Sequence, residues 1–306
     1  MKKIVICGAA GFVGQNLVPL LKKKHNITAI DKHFHNLNLL KTLNPEIETI
    51  YSDMSEKTKW NDTFKDADCI IQLNAEIASH HRDPFIRNNV ISTKNIVDNM
   101  KKYKTPYLVH VSSAAVNSIR RDYYSETKED GEMLVKKSGI KHSILRPSMM
   151  YGCFDNKNVG WLMSFMRKSP LFPIPGTGKY PRQPVFVTDF CNIIEQLIET
   201  RPDNKIYNIN GDKIDFIDMV KVIIKAKKIF RPIVKLPLRM FIFLMQSYNF
   251  ILRKVEFTPD QVRSLTSGEV FEMFPWWSEF NIEKTSFKDG VHKMLNSKFS
   301  KIVLER

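Results

Sequence analysis

Short apolar runs alternate with stretches of helical spacing through the first half of the chain, the sequence sign of a parallel sheet covered by helices. The runs at 3–7, 27–31, 47–51, 69–73, 107–112 and 142–146 read as strands. Between them, 12–24, 85–103 and 124–138 carry helical periodicity; Ile91, Asn95, Ile96 and Asn99 fall on one side of such a helix. The texture changes after Gly152, where Pro170, Pro173, Pro175, Pro181 and Pro184 cluster and Gly176 and Gly178 mark a loop. That irregularity suits a substrate-facing segment. Two more short runs, 184–188 and 205–209, flank a helix and are expected to return to the main sheet; beyond 212 the chain is mainly helical, with no internal repeat. The expected architecture is an α/β doubly wound parallel sheet built from 1–152 with 184–210 returning to it. A smaller, mainly helical substrate region comes from 153–183 and 211–306.

The first run feeds Gly8-Ala9-Ala10-Gly11-Phe12-Val13-Gly14 into a helix that begins near Phe12. Glycines are needed where a turn is tight, where backbone must approach a pyrophosphate and where helix packs on strand; the helix N-terminus then offers N–H donors to phosphate. The spacing is G-x-x-G-x-x-G rather than the general G-x-G-x-x-G fingerprint. Asp31 ends the second run, where an acid would accept hydrogen bonds from an adenosine ribose. Together these mark a Rossmann-type dinucleotide site. A carboxylate at that position repels a 2′-phosphate, which favours NAD over NADP, although Lys32 beside it points the other way. The plainer alternative is a glycine turn followed by an ordinary strand-end Asp.

Tyr124 and Lys128 are four residues apart on a predicted helix and so face one volume. A nearby ammonium favours the phenolate and lowers the phenol's pKa, which makes the pair a plausible proton shuttle. Strand 107–112 ends at Ser112-Ser113, whose hydroxyl could bond the same substrate oxygen. Such a Tyr and Lys also occur by chance on solvated helices, and a Ser pair often ends a strand.

The 306-residue length suits one large domain or a nucleotide-binding domain with a smaller companion. The balance of 47 Lys+Arg against 32 Asp+Glu, a net +15, favours anionic partners. The excess lies in small groups such as Lys22-Lys23-Lys24 and Lys136-Lys137, and no nucleic-acid-binding pattern accompanies it, so solvated helix faces are expected rather than a nucleic-acid stripe. Cys7, Cys69, Cys153 and Cys191 show neither metal spacing nor a disulfide framework, which fits a reducing, cytoplasmic setting. The apolar run after Met1-Lys2-Lys3 is too short for a signal peptide and reads as the first strand.

The motifs taken together resemble the extended short-chain dehydrogenase/reductases of the NAD-dependent epimerase/dehydratase group, most of which act on nucleotide sugars. The resemblance rests on the glycine loop, Asp53, Leu73-Asn74-Ala75, Asn89-Val90, Ser112-Ser113, the Tyr-x-x-x-Lys pair, the 145–152 segment and the 182–189 segment. It covers most of residues 1–210. It implies that Gly8, Gly11, Phe12, Val13 and Gly14 surround the pyrophosphate and that Asp31 holds the ribose. Asp53 and Met54 would lie near adenine, and Leu73 and Ala75 would line the cleft. Tyr124 would be the general base, Lys128 would lower its pKa and hold the nicotinamide ribose, and Ser113 would position the reacting hydroxyl. Arg182 would meet substrate phosphate; a surface arginine in a proline-rich loop is the alternative. The resemblance also implies a homodimer through helices 85–103 and 124–138, and no metal.

Two departures shape the expected chemistry. Dehydratases of the group carry an acidic pair after the active-site Ser or Thr, whereas Ala114 and Ala115 stand here, which argues for epimerisation or simple oxidation. Ten residues separate Ser113 from Tyr124, a short connection that resembles a branch including relatives of a respiratory-complex accessory subunit. The expected function is an NAD-dependent sugar-nucleotide epimerase or dehydrogenase. A non-catalytic dinucleotide-binding accessory protein and a membrane-associated steroid or lipid dehydrogenase are the alternatives. The last draws on 236–252, an apolar stretch interrupted by Arg239, Gln246 and Asn249 and flanked by Lys235, Arg253 and Lys254. That stretch falls short of a membrane span; it reads as a helix buried in the substrate region, with a peripheral contact to an anionic membrane as the other reading.

Overall fold

The computed structural model describes residues 1–252, 259–300, 302 and 304. Its centre is a seven-stranded sheet of β1 (Lys3–Cys7), β2 (Asn26–Asp31), β3 (Glu48–Tyr51), β4 (Cys69–Gln72), β5 (Leu108–Val111), β6 (His142–Pro147) and β7 (Lys205–Ile209). The spatial order is β3-β2-β1-β4-β5-β6-β7, with every neighbouring pair parallel. A parallel sheet needs cover on both faces, which explains why β1, β4 and β5 are apolar runs rather than alternating ones. The pleat still sorts their side chains. Ile4 and Ile6 pack with α1 (Phe12–Leu21) on one face, while Val5 and Cys7 pack with Ile96, Val97 and Met100 on the other. Cys7, Cys69 and Cys191 are buried free thiols whose pKa burial pushes up.

The remaining helices that position the site are α2 (Phe34–Leu43), α3 (Ser92–Tyr103), α4 (Tyr123–Lys136), α5 (Val159–Lys168), α6 (Val187–Thr200), α7 (Phe216–Ala226) and α8 (Leu238–Leu252). The stretch expected as one helix over 85–103 is a short turn at Arg82–Phe85, a π-helical segment at Ile86–Ile91 and then α3. Of the two late strands, only 205–209 joins the main sheet. Val185–Phe186 instead pairs with Met150–Tyr151, in a separate two-stranded ribbon. Further short pairs join 181–182 to 214–215 and 172–175 to 233–236. A second apolar cluster forms around them, from Leu162 and Met166 of α5, Phe172, Ile174, and Met219 and Ile223 of α7. Among the described residues no helix is long and apolar enough to cross a membrane, and no group of side chains could hold a metal.

Helix α4 owes its position to a buried charge. Asp122 caps it, accepting from Ser125 N at 2.8 Å while Ser125 Oγ accepts from Asp122 N at 2.9 Å. Two turns on, Glu132 is fully buried and receives Arg146 of β6 through both oxygens, Nε at 2.8 Å and Nη2 at 2.6 Å; Lys136 adds a third contact at 3.0 Å. Burial alone would raise the carboxyl, but these cations hold it at about 2.

Because that value lies below the ordinary 4.5, the stabilisation is present above about pH 4.5 and is lost as the pH falls toward 2. Glu132→Gln should cost about 3–5 kcal/mol at neutral pH, since it leaves Arg146 unpaired. Urea unfolding should show that loss, and the wild type's stability change between about pH 4.5 and about 2 should be smaller in the variant by the Glu132 contribution. Unchanged stability would remove the pair from this role.

Candidate active site and cofactor cleft

The glycine loop closes between the ends of β1, β2 and β4. Gly8 has φ +80°, and a Cβ there would lie 2.4 Å from the backbone N of Asn74. Gly14 lets α1 settle onto the loop: a Cβ there would lie 2.1 Å from Ala9 O. Gly11 is different. It is the N-cap of α1, in extended backbone, and a Cβ would meet only Gly8 O at 3.5 Å. No side chain caps this helix start, so the N–H groups of its first turn are available to an anion.

Asp31 is 5% exposed and ties the loop to β2, accepting from Ala10 N through Oδ2 and from His33 N through Oδ1, both at 2.9 Å. Burial raises its carboxyl pKa, with the backbone donors pulling the other way. One donor per oxygen leaves acceptor capacity on each for a ribose. Asp53 accepts from Ser55 N at 2.8 Å and lies 3.4 Å from Lys32 and 3.6 Å from Arg87. Burial would raise it, but Ser55 and Lys32 hold it below the ordinary range. A cleft of about 720 Å³ opens among Lys32, Asp53, Glu76, Pro84, Arg87 and Asn88, a volume suited to a nucleotide. Met54 turns its side chain into the core, whereas Phe12, Val13 and Leu73 pack part-buried against the sheet. Ala75 is half-buried, one residue beyond Asn74.

The glycine loop, the uncapped helix start and the acid at the end of β2 together fit NAD. Asn74 also has a physical role: its amide donates to Asn88 O at 3.0 Å and Ser92 Oγ at 2.8 Å, fastening the end of β4 to the π-helical segment.

Ser113, Tyr124 and Lys128 come together at the carboxyl end of β5. Ser113 follows that strand and begins a short helical turn, and Tyr124 and Lys128 lie on the adjoining face of α4. Burial raises the Tyr124 phenol; the Ser113 hydroxyl beside it pulls the value down, and Asp122 raises it further. The expected lowering by Lys128 is not among the influences on the Tyr124 phenol. The Lys128 ammonium is buried and donates to Val111 O at 2.7 Å, and burial depresses it to about 8, with Glu132 opposing. A lysine aimed at a strand-end carbonyl is not readable from an i,i+4 spacing.

Arg182 is half-buried, donates to Leu265 O and stands 5.9 Å from the Tyr180 ring. Burial lowers its pKa, while the Tyr180 and Glu269 charges raise it. Glu269 also accepts from Ser118 Oγ at 2.6 Å and Ile119 N at 2.8 Å, so the 265–271 segment closes over the short connection between Ser113 and Tyr124. Gln183 clasps the same segment through Phe271 N at 2.8 Å and Phe271 O at 3.0 Å. Sequence reasoning missed Glu269, which carries no local signal. Glu132 was findable, because it stands four residues beyond Lys128 on the same helix face.

The NAD dependent epimerase/dehydratase family matches residues 4–210. A putative UDP-glucose 4-epimerase of Methanocaldococcus jannaschii is 28% identical over 262 residues, 74% of this chain and 83% of that protein. A dTDP-D-glucose 4,6-dehydratase of Dictyostelium discoideum is 25% identical over 275 residues, 73% of this chain but only 62% of that protein's length. Among solved structures, the UDP-glucose 4-epimerase of Thermotoga maritima with UDP-glucose superposes at a TM-score of 0.76 and 16% identity, covering 96% of this chain and 97% of its own.

The glycine geometry separates folding from binding. Gly14→Ala should lower stability by about 1–3 kcal/mol through overpacking against Ala9 and weaken NAD binding with it. Gly11→Ala should keep the wild-type melting temperature yet bind NAD about tenfold more weakly, because its methyl would occupy space beside the helix start. Calorimetric titration with NAD, beside thermal melts, checks both; equal NAD affinity in Gly11→Ala would place the cofactor elsewhere.

Proposed function

Because the chain belongs to the NAD-dependent epimerase/dehydratase family, we propose that it oxidises a hydroxyl-bearing carbon of a nucleoside diphosphate sugar, as an epimerase or a dehydrogenase. The observation that carries this reading is the meeting of Ser113, Tyr124 and Lys128 at the end of β5, on the sheet edge where the glycine loop also lies. The relatives whose names refer to UDP- or dTDP-sugars support the substrate class.

When bound, NAD supplies the hydride acceptor. Ser113 holds the reacting hydroxyl, and Tyr124 takes its proton as the carbon gives up hydride, leaving a ketone. In an epimerase Tyr124 would give its proton back to the oxygen of that ketone when the carbon is reduced again on its opposite face. Lys128 keeps positive charge beside the reacting groups and would hold the nicotinamide ribose of bound NAD. Arg182 reaches the substrate diphosphate, for which a guanidinium offers paired donors. Ala114, 1% exposed, and Ala115 bring no acid or base to the site, which argues against elimination of water. Ile91 and Met133, 42% and 46% exposed, give the proposed homodimer an apolar contact across the segments 85–103 and 124–138.

Tyr124→Phe should reduce turnover of UDP- and dTDP-sugars by about 10²–10⁴-fold while NAD affinity stays within about threefold. Turnover unchanged in that variant would sink the assignment. The Lys128 ammonium is present below its depressed value of about 8 and lost above it, so turnover should fall as the pH rises through that point. Lys128→Arg, which stays charged, should move this limb to higher pH at reduced turnover.

A further inference from the structure

Residues 219–255 contain nine Lys and Arg and not one Asp or Glu. In a chain where acids number two-thirds of the bases, this is a marked local imbalance. Among the described residues of the segment, only Lys221 meets a carboxylate, that of Asp218 at 2.9 Å. Lys225, Lys227, Lys228, Lys235 and Arg239 form no ion pair, and Lys227 is held below its ordinary pKa by burial and by the charges of Arg167 and Arg231. Arg231 spends its guanidinium on the Met166 and Phe230 carbonyls.

The same segment exposes its apolar side chains. Met240, Phe243 and Leu244 are 43%, 67% and 48% exposed, and their i, i+3, i+4 spacing puts them on one stripe of α8. Phe230 is 84% exposed at the end of the turn after α7, and Val234 is 36% exposed on the strand that follows. Phe241, Ile242 and Met245 lie half-buried on the other side of α8. The helix therefore has two apolar sides, one of them turned to solvent and edged by the exposed Lys235 and Arg239. Arg253 and Lys254 lie outside the described residues.

We propose that α8 and the turn before it dock on an anionic lipid bilayer surface, with Met240, Phe243 and Leu244 entering the headgroup boundary and Lys235 and Arg239 on lipid phosphates. Apolar side chains bordered by unpaired cations complement a surface that is anionic outside and hydrocarbon just beneath. A second copy meeting this face symmetrically would set like charges against like. A nucleic acid would match the cations but leave the aromatic and aliphatic stripe without a partner. The helix lies on the membrane and does not cross it. The placement is independent of the proposed chemistry, because none of these side chains belongs to the catalytic or cofactor machinery.

The test is co-sedimentation of the full chain with phosphatidylcholine vesicles with and without about 30% phosphatidylglycerol, at about 0.15 M and about 0.5 M NaCl. Association should require the anionic lipid and weaken in the higher salt. The double change Phe243→Asp with Leu244→Asp, and separately Lys235→Glu with Arg239→Glu, should each reduce binding about tenfold while NAD affinity and melting temperature hold. Phe243→Trp, a milder change, should blue-shift its emission on adding anionic vesicles, and an unshifted emission would overturn the proposal even if a charged variant fails to fold. No association with anionic vesicles, equal association in both variants, or a soluble dimer that Phe243→Asp with Leu244→Asp dissociates would each overturn the proposal.

Discussion

The pairing of Glu132 with Arg146 decides where α4, the helix of Tyr124 and Lys128, sits. A carboxylate with no exposed surface is tolerable only if a cation meets it with good geometry, and Arg146 does so through two parallel hydrogen bonds from the adjacent strand. Sliding α4 by a turn, or rotating it, would strand both charges in the interior. The penalty for misplacement, more than the gain from the pair itself, makes this contact a positional constraint. Lys128 stands one turn before Glu132 and Tyr124 one turn before Lys128, so anchoring the carboxylate carries both of these side chains to the end of β5.

That end of the sheet gathers the remaining chemistry for a topological reason. All seven strands are parallel, so every connection after a strand emerges on the same edge. The glycine loop follows β1, Asp31 ends β2, Asn74 follows β4 and Ser113 follows β5. The chain order reverses at β1 and β4, and the crevice opened there is where the backbone of Gly8 lies close against Asn74. The proline-rich segment and the late helices then contribute a second apolar cluster, and 265–271 returns across the short connection through Glu269.

The strands of the sheet were legible because apolar runs bounded by turn residues are a local signal. The glycine loop and the Tyr124, Lys128 spacing were legible for a related reason: each is a requirement on residues within one turn or loop. What stayed hidden depends on partners distant in sequence. Lys128 and Val111 are seventeen positions apart, Glu132 and Arg146 fourteen, and Ser118 and Glu269 more than a hundred. Of the short run at 184–188, Val185–Phe186 is extended while Val187 already opens α6, and the choice of Met150–Tyr151 over the main sheet is a matter of pairing, which strand propensity does not encode.

For this protein the sequence by itself determined the parallel α/β sheet, the position of the glycine loop and the shared helix face of Tyr124 and Lys128, because each follows from steric or chemical demands on near neighbours. Only the tertiary structure decided that Lys128 donates to the Val111 carbonyl, that burial raises Tyr124 against expectation, and that Met240, Phe243 and Leu244 face outward. Desolvation and facing depend on what the rest of the chain covers, and an apolar run carries no mark of which of its sides will be left uncovered.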